Sequence, residues 1–191
     1  MPMTEVSNTI DTIRAALTDG NSISAQSHLD RLREHWRDIP TDFSADQVAA
    51  LRDLATEITA ARIGSVDGVL AEVFGFDSFR PGQRPTVEAI VSGRDCVGIM
   101  PTGAGKSLTY QMAARILGGT TLVVSPLIAL MKDQVDGLDE IGIRATFLNS
   151  SLEPTERSER TAAVRRGEYE LVYAAPEGLE ASVGSALEGV D

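Results

Sequence analysis

Residues 66–191 alternate short apolar runs with stretches of helical spacing, and this alternation constrains the fold more than any other feature of the sequence. The apolar runs lie at 95–100, 121–125, 144–149 and 170–175, and a helical stretch follows each of them. Apolar strands that are separated by helices predict a parallel sheet covered by helices on both faces. Ligands bind such sheets at the carboxyl ends of the strands, so the residues that follow each run are candidate site residues.

Residues 1–65 follow a different pattern, which predicts a small helical appendage. Three stretches carry apolar residues at helical spacing, and Gly20 and the turn at 39–41 separate them. Ser44 or Asp46 is a candidate cap of the third helix. We therefore expect the chain to divide into this helical N-terminal appendage and the α/β region that follows it.

Composition excludes several classes of protein and leaves few candidate metal ligands. Cys96 is the only cysteine, which excludes an intrachain disulfide and a multi-cysteine zinc site. Because Cys96 lies in an apolar run, we expect it in the core. His28 and His35 lie on one predicted helix, and we expect solvated or packing histidines rather than metal ligands. No apolar stretch approaches the roughly 18 residues of a membrane span and no signal sequence is evident, so we expect a cytoplasmic protein without membrane contact.

The net charge of −11 argues against a protein that coats nucleic acid, although it leaves room for a local basic track. Of the 17 basic residues only Lys106 and Lys132 are lysines, and both lie in motif-like segments. A site that needs a compact ammonium on a flexible stem distinguishes lysine from arginine, whereas a solvated surface accepts either. Both lysines are therefore candidate site residues.

The segment MPTGAGKS at 100–107 is typical of a loop that holds nucleotide phosphates. It follows the apolar run CVGIM and precedes a helical stretch, which is the strand–loop–helix context that the motif requires. Glycines let backbone N–H groups approach phosphate oxygens, and the helix N-terminus adds positive potential. Lys106 would reach the β- and γ-phosphates as the catalytic residue, and Ser107 would bind Mg²⁺ through its hydroxyl. The candidate ATP-binding residues of the loop are Thr102, Gly103, Ala104, Gly105, Lys106 and Ser107.

Segments on both sides of this loop narrow the class of nucleotide-binding protein. LAEVFGFDSFRPGQ at 70–83 resembles the adenine-recognition motif of RecQ-type DNA helicases, which belong to helicase superfamily 2. VVSPLIALMKDQV at 123–135, FLNSS at 147–151 and YAAPE at 173–177 resemble the next motifs of that family, in the expected order. The phosphate loop, with Met100 where the general pattern has glycine, also resembles that family's form. The resemblance implies a RecA-like parallel sheet with helices on both faces, of which the α/β region would form an incomplete part.

The resemblance also implies how adenine would be recognised. Gln83 carries both an amide donor and an amide acceptor, so it can bond to N6 and N7 of adenine together. Phe76 matches the family position whose ring stacks on the base, and Arg80 would lie near the base and order this segment. For Phe74 and Phe79 we expect core packing instead.

A second group of residues would contact nucleic acid, according to the same resemblance. Ser125 follows an apolar run at a predicted helix start, where a hydroxyl and backbone N–H groups can hold a phosphate. Lys132 on the following helix would add a second phosphate contact or, equally, remain a solvated lysine. Asn149 and Ser150 would contact the backbone of the same DNA strand. Such contacts are independent of sequence, as a translocating motor on single-stranded or partly duplex DNA requires.

The function that the resemblance implies is an ATP-dependent 3′-to-5′ DNA helicase that uses ATP and Mg²⁺. Its catalysis also needs an acidic residue at the end of a further strand, which the family carries in a D-E-x-H motif. After Lys106 no apolar run ends in Asp-Glu. We therefore expect this chain to be a fragment of the first motor domain that binds ATP weakly but neither hydrolyses it efficiently nor unwinds DNA.

Three other classes stay open at this point. A non-catalytic ATP-binding module would bind nucleotide without DNA-stimulated turnover. A small P-loop kinase would need an acceptor site and an arginine-rich lid, and the adenine-recognition segment upstream of the loop disfavours it. An RNA helicase of the same superfamily has a differently shaped upstream glutamine motif, without FRPGQ.

Overall fold

The computed structural model describes residues 3–178, which form a helical bundle followed by an α/β layer. The helices are α1 (Met3–Thr18), α2 (Ser22–Asp38), α3 (Ala45–Gly64), α4 (Val66–Glu72), α5 (Gln83–Val91), α6 (Lys106–Leu117), α7 (Ile128–Asp139) and α8 (Pro154–Arg165). The strands are β1 (Thr121–Val124), β2 (Ala145–Leu148) and β3 (Leu171–Ala174), and short 3₁₀ turns lie at Pro40–Asp42 and Pro176–Gly178. None of the described helices is both long and apolar enough to cross a membrane.

Helices α1, α2 and α3 pack into a bundle with a hydrophobic core of its own, as the spacing of apolar residues predicts. Ile13, Leu29 and Ile58, one from each helix, are completely buried in that core. Helix α3 begins with a capping box, in which the Ser44 hydroxyl accepts from the Gln47 N–H and the Gln47 side chain accepts from the Ser44 N–H. Of the two candidate caps, Ser44 is therefore the one that is used.

Both histidines of the bundle have structural partners. His28 Nδ1 lies 2.8 Å from the Ser24 carbonyl oxygen one helical turn away. His35 Nε2 lies 2.6 Å from Asp42 Oδ2, and the His35 ring packs against Phe43 at a centroid distance of 5.6 Å. The His28 contact stays within α2, whereas the His35 contacts connect α2 to the turn before α3. Both are packing roles, as expected for the histidines.

The three strands form a parallel sheet in the order β1-β3-β2, which confirms the α/β prediction. The register pairs Val124 of β1 with Ala174 of β3, and Ala174 in turn with Leu148 of β2. All three strands therefore end at one edge of the sheet. The core around it is built by strand residues such as Leu171 and Val172 together with residues of the flanking helices.

The prediction of a strand at 95–100 is wrong. This segment contains no strand, and Val97 and Ile99 are 89 % and 93 % exposed. Cys96 is exposed as well, so its predicted place in the core is also wrong. A strand exists only where a neighbouring strand accepts and donates its backbone hydrogen bonds, and no strand among residues 3–178 pairs with this segment. An apolar run indicates a tendency to be buried but does not supply that neighbour.

Helix α8 packs on the sheet through two of its arginines. Arg160 lies over the Phe147 ring, with its guanidinium carbon 4.3 Å from the ring centroid, and donates to Thr146 Oγ1 at 3.2 Å. Arg157 donates to the Asn149 carbonyl at 3.0 Å. These two arginines therefore attach the helix to β2 and to the loop after it.

The bundle contacts the α/β layer through a close approach of α2 to the end of α6. Gly118 caps α6 with a φ of 71°, and a Cβ atom added there would lie 2.8 Å from Ile23 Cγ2. Glycine is therefore required at this position both by the backbone conformation and by the neighbouring side chain. The contact places the bundle against the helix that follows the phosphate loop.

Candidate nucleotide-binding site

The backbone of the phosphate loop has the conformation that its glycines predict. Gly103 and Gly105 have φ values of 80° and 75°, in the left-handed region that favours glycine. The loop turns at residues 102–104, and α6 begins directly after Gly105, at Lys106. The first N–H groups of this helix have no partner within the helix and point toward the loop, where an anion can accept from them.

Gln83 joins the upstream segment to this loop and is almost completely buried, with 2 % of its surface exposed. Its Oε1 accepts from the Arg80 N–H at 2.8 Å, while its Nε2 donates to the carbonyls of Ala104 and Gly105, each at 3.0 Å. Arg80 Nη1 donates to the Gly103 carbonyl at 2.6 Å. The contact of Gln83 with adenine and the place of Arg80 near the base, which the family resemblance implies, stay predictions. No sequence pattern indicated that both residues also hold the phosphate loop.

The contact between Gln83 and the loop leaves no room for a larger residue at 105. A Cβ atom at Gly105 would lie 2.6 Å from Gln83 Nε2, well inside van der Waals contact. At Gly103, by contrast, a Cβ atom would meet no other atom within 4 Å. The two glycines share a backbone conformation, but only Gly105 is also required by close packing.

The side chains of Lys106 and Ser107 are compatible with a nucleotide and its metal ion. Lys106 Nζ donates to the carbonyls of Met100 and Pro101, at 3.1 and 3.0 Å, so the ammonium lies over the loop in an exposed position. The Ser107 hydroxyl lies in the first turn of α6 and makes no hydrogen bond within the described part of the chain. A hydroxyl at this position is the protein ligand that a nucleotide-bound Mg²⁺ uses in P-loop proteins, so the residues fit that ion.

The aromatic residues upstream of the loop divide as predicted between surface and core. The ring of Phe76 is 51 % exposed, which leaves its face accessible to a base. Phe74 and Phe79 pack against the hydrophobic clusters of the α/β layer, and the Arg84 guanidinium lies 5.3 Å from the centre of the Phe79 ring. Core packing of Phe74 and Phe79 is confirmed, whereas base stacking by Phe76 stays a prediction.

A cavity of about 540 Å³ connects the phosphate loop to the sheet edge. Lys106 and Ser107 line it on one side, and Ser125, which follows β1, lines it on another. Cys96 and Met100 contribute from the exposed segment that precedes the loop. The structure thus brings the candidate ATP residues and the first candidate DNA residue to one cavity.

A polar contact between three elements borders the same cavity, and no sequence pattern predicted it. Gln111 Nε2, on α6, donates to Gln134 Oε1 on α7 and to the Tyr173 hydroxyl on β3, both at 3.3 Å. Burial raises the pKa of Tyr173 well above its usual value, so its hydroxyl stays protonated at physiological pH. The helix after the phosphate loop is thereby attached to the helix that carries Lys132.

The candidate nucleic-acid residues lie along the carboxyl edge of the sheet. Ser125 follows β1, and its Oγ accepts from the Leu127 N–H at 3.2 Å, near the start of α7. Lys132 is exposed on α7, where a hydrogen bond with Asp136 raises the pKa of its ammonium. Ser150 is exposed in the turn after β2.

Asn149 differs from these three, because its side chain is 6 % exposed and already has partners. Its Oδ1 accepts from the N–H and the hydroxyl of Ser151, at 2.9 and 2.6 Å. Its Nδ2 lies 3.4 Å from Met131 Sδ. In this conformation Asn149 shapes the turn that presents Ser150, and its contact with a DNA strand stays a prediction.

The comparisons with known proteins agree with this arrangement. The ATP-dependent DNA helicase RecQ of Bacillus subtilis is 44 % identical over 125 residues, which cover 64 % of this chain and 21 % of that protein. RecQ of Haemophilus influenzae is 48 % identical over 109 residues, 57 % of this chain and 18 % of that protein. The resemblance to RecQ-type helicases that the motifs predicted is therefore confirmed, and the chain spans about a fifth of the length of these relatives.

One relative extends the similarity toward the N-terminus. The ATP-dependent DNA helicase Q-like 5 of Arabidopsis thaliana is 36 % identical over 161 residues, 84 % of this chain and 17 % of that protein. Residues 66–191 contain fewer than the 161 residues of this match, so the match also includes part of the helical bundle. The DEAD/DEAH box helicase family matches residues 80–190, which include the phosphate loop and all three strands. The chain therefore belongs to the DEAD/DEAH box helicase family.

Proposed function

We propose that the phosphate loop binds ATP and that this chain supplies the ATP-binding part of a RecQ-type DNA helicase. The observation that carries the proposal is the attachment of the upstream segment to the loop through Gln83 and Arg80. This attachment places a candidate base-binding segment beside a candidate phosphate-binding loop. A simple phosphate site needs no such neighbour, whereas a site selective for an adenine nucleotide does.

The residues of the loop and of the upstream segment have distinct roles in binding the nucleotide. Lys106 exchanges its two carbonyl partners for oxygens of the β- and γ-phosphates, which its exposed position allows. The N–H groups at the start of α6 donate to the phosphates, and the Ser107 hydroxyl holds Mg²⁺. When bound, Mg²⁺ neutralises charge that develops on the transferred phosphoryl group. Phe76 stacks on adenine. Gln83 and Arg80 hold the upstream segment, which carries Phe76, against the phosphate loop.

Single-stranded DNA passes along the carboxyl edge of the sheet in this proposal. Ser125, Lys132, Asn149 and Ser150 contact its phosphates without reading bases. Lys132 would exchange its partner Asp136 for a phosphate, and Ser125 lies on the cavity that also contains Lys106. The complete protein would then be an ATP-dependent helicase acting 3′ to 5′ on single-stranded or partly duplex DNA, in the cytoplasm.

The base-stacking role of Phe76 can be tested without disturbing the fold, because half of its surface is exposed. Phe76→Ala should weaken Mg·ATP binding at least about fivefold, since base–aromatic stacking contributes roughly 1–3 kcal/mol. Stacking accepts either purine, so a preference of wild type for ATP over GTP, measured by calorimetry, would separately test the predicted contact of Gln83 with adenine. Equal affinities of wild type and Phe76→Ala, with equal stabilities, would contradict adenine recognition by this segment.

Turnover tests how much of the catalytic machinery is present. Phosphoryl transfer needs a carboxylate that holds Mg²⁺ and positions water, and the described strands are followed by Ser125, Asn149 and Ala175, which carry none. We expect phosphate release from this chain to stay at the level of Lys106→Ala, with or without single-stranded DNA. Release that depends on Lys106 would mean that a suitable carboxylate is present, and Glu177 would be the first to replace. Binding without any DNA effect would favour the non-catalytic ATP-binding module.

A further inference from the structure

The helical bundle carries an exposed aromatic surface that the nucleotide site does not use. Arg33, Trp36, Arg37 and Pro40 line a cavity of about 400 Å³ at the C-terminal end of α2, which we call the Trp36 patch. Its members at 33, 36 and 37 are spaced by three and four residues and therefore share one face of the helix. The patch is distant in sequence from the phosphate loop and contains none of its residues.

The Trp36 ring is not needed to complete the core of the bundle. The core consists of aliphatic residues of α1, α2 and α3 together with Phe43, and Trp36 is not part of it. Trp36 is 38 % exposed, and the neighbouring Ile39 is 44 % exposed. Single exposed apolar residues are common on protein surfaces, so it is the cavity beside the ring, together with the charges around it, that indicates binding.

The charge of the patch is opposite to that of its surroundings. Residues 1–65 contain six basic and ten acidic residues, a net charge of −4. Within the described structure the Arg37 guanidinium has no ion pair, and Arg33 has only a long one, 3.7 Å from Asp30. Two guanidinium groups that are exposed and weakly neutralised therefore flank the tryptophan.

We propose that the Trp36 patch is a second contact site for single-stranded DNA. One base stacks on the Trp36 ring, and Arg33 and Arg37 donate to the phosphates on either side of it. An aromatic face between cationic side chains is the arrangement by which proteins bind single strands without reading their sequence. An acidic protein segment could also pair with the two arginines. We choose DNA because of the proposed function, in which the same chain acts on DNA.

The site has a built-in reporter, because Trp36 is the only tryptophan of the chain. Titrating the full 191-residue chain with an oligothymidylate in the absence of ATP should quench tryptophan fluorescence in a saturable way. With two phosphate contacts, the slope of log K against log salt should be about −1.4. Quenching can come only from a change at Trp36, whereas anisotropy of a labelled oligothymidylate reports binding anywhere on the chain.

A matched pair of variants separates the patch from overall charge. Arg37→Gln should weaken the affinity measured by quenching at least about threefold and reduce the salt slope by about 0.7, because one phosphate contact is lost. Arg31→Gln removes the same charge from the same helix, but Arg31 lies at a different cavity, beside Gly118 and Gly119. Arg31→Gln should therefore change the affinity little.

Three results would overturn the proposal. The first is anisotropy that reports DNA binding without any quenching, which leaves the proposed function intact and places DNA elsewhere. The second is equal weakening by Arg31→Gln and Arg37→Gln, which reduces the effect to net charge. The third is quenching by a polyglutamate peptide as strong as that by oligothymidylate, which assigns the patch to an acidic protein partner. DNA binding that is unchanged in Ser125 and Lys132 variants, with Trp36 quenching retained, would instead contradict the DNA part of the proposed function.

Discussion

The helical bundle and the α/β layer differ in where their stabilising partners lie. In the bundle, each helix closes its own backbone hydrogen bonds and buries its apolar face against two neighbours that are close in sequence. In the α/β layer, β1 pairs with β3 across almost 50 residues, and the apolar segment at 95–100 has no strand partner among the described residues. The comparison shows that equally apolar segments acquire very different environments, depending on whether their partners are local.

The largest expected effect is a difference between two isoleucines. Ile58, in the bundle core, is completely buried, whereas Ile99 is 93 % exposed. Ile58→Ala should lower the free energy of unfolding by about 2–5 kcal/mol, because it leaves a cavity. Ile99→Ala should change it by no more than about 0.5 kcal/mol. Urea denaturation of both variants measures the contrast, and similar losses for the two would mean that the segment at 95–100 is packed after all.

The second prediction concerns the two glycines of the phosphate loop. Gly103→Ala should cost about 1–2 kcal/mol, the strain of an alanine in the left-handed region. Gly105→Ala should cost about 1–2 kcal/mol more, because Gln83 must move and lose its two bonds to the loop. Thermal or urea unfolding gives the stabilities, and calorimetry with Mg·ATP should show the larger loss of affinity for Gly105→Ala. Equal effects would remove the role that the structure gives to Gln83.

The features that could be predicted from the sequence are those whose partners are local in sequence. The three helices of the bundle and the order of strands and helices after residue 106 are predictable from local spacing and turn residues, which also narrow the cap of α3 to Ser44 or Asp46. The phosphate loop and its glycines were also predictable, since their conformation is set by residue type. Partners remote in sequence were not: Gln83 bonded to the loop, Arg160 over Phe147, and Gln111 bonded to Tyr173 depend on packing that no local pattern records.

The segment at 95–100 illustrates the limit most clearly. Its composition is that of a buried strand, and sequence reasoning accordingly placed Cys96 in the core. Burial of a strand depends on neighbours on both edges and both faces, and these are determined by the whole sheet rather than by the segment. The exposed positions of Val97 and Ile99 therefore do not contradict the apolar composition; they show that composition alone does not place a strand.

A third, smaller effect is expected at the start of α3. Ser44→Ala removes one half of the capping box and should cost about 1 kcal/mol. Asp46→Ala is the matched control, because Asp46 lies in the first turn of α3 but does not cap it. Unfolding followed by circular dichroism compares the two variants. A greater loss from Asp46→Ala would mean that the charge near the helix N-terminus matters more than the cap.

The smallest effect is expected for the single thiol. Cys96→Ser should leave the free energy of unfolding within about 0.5 kcal/mol of wild type, since Cys96 is exposed. In the native chain, Cys96 should react with a thiol reagent at nearly the rate seen in urea. Strong protection of the thiol in the native chain would place Cys96 in the interior, as the apolar run at 95–100 predicts.

The ATP site is tested most directly by the affinity of the chain for Mg·ATP, measured for wild type and Lys106→Ala. We expect saturable binding by wild type and a loss of at least about tenfold in the variant, because the ammonium is the cation that reaches the phosphates. Arg31→Gln, which removes a positive charge on the bundle, should bind as wild type does. Equal affinities of wild type and Lys106→Ala, or no binding by either, would contradict the assignment of MPTGAGKS as an ATP site.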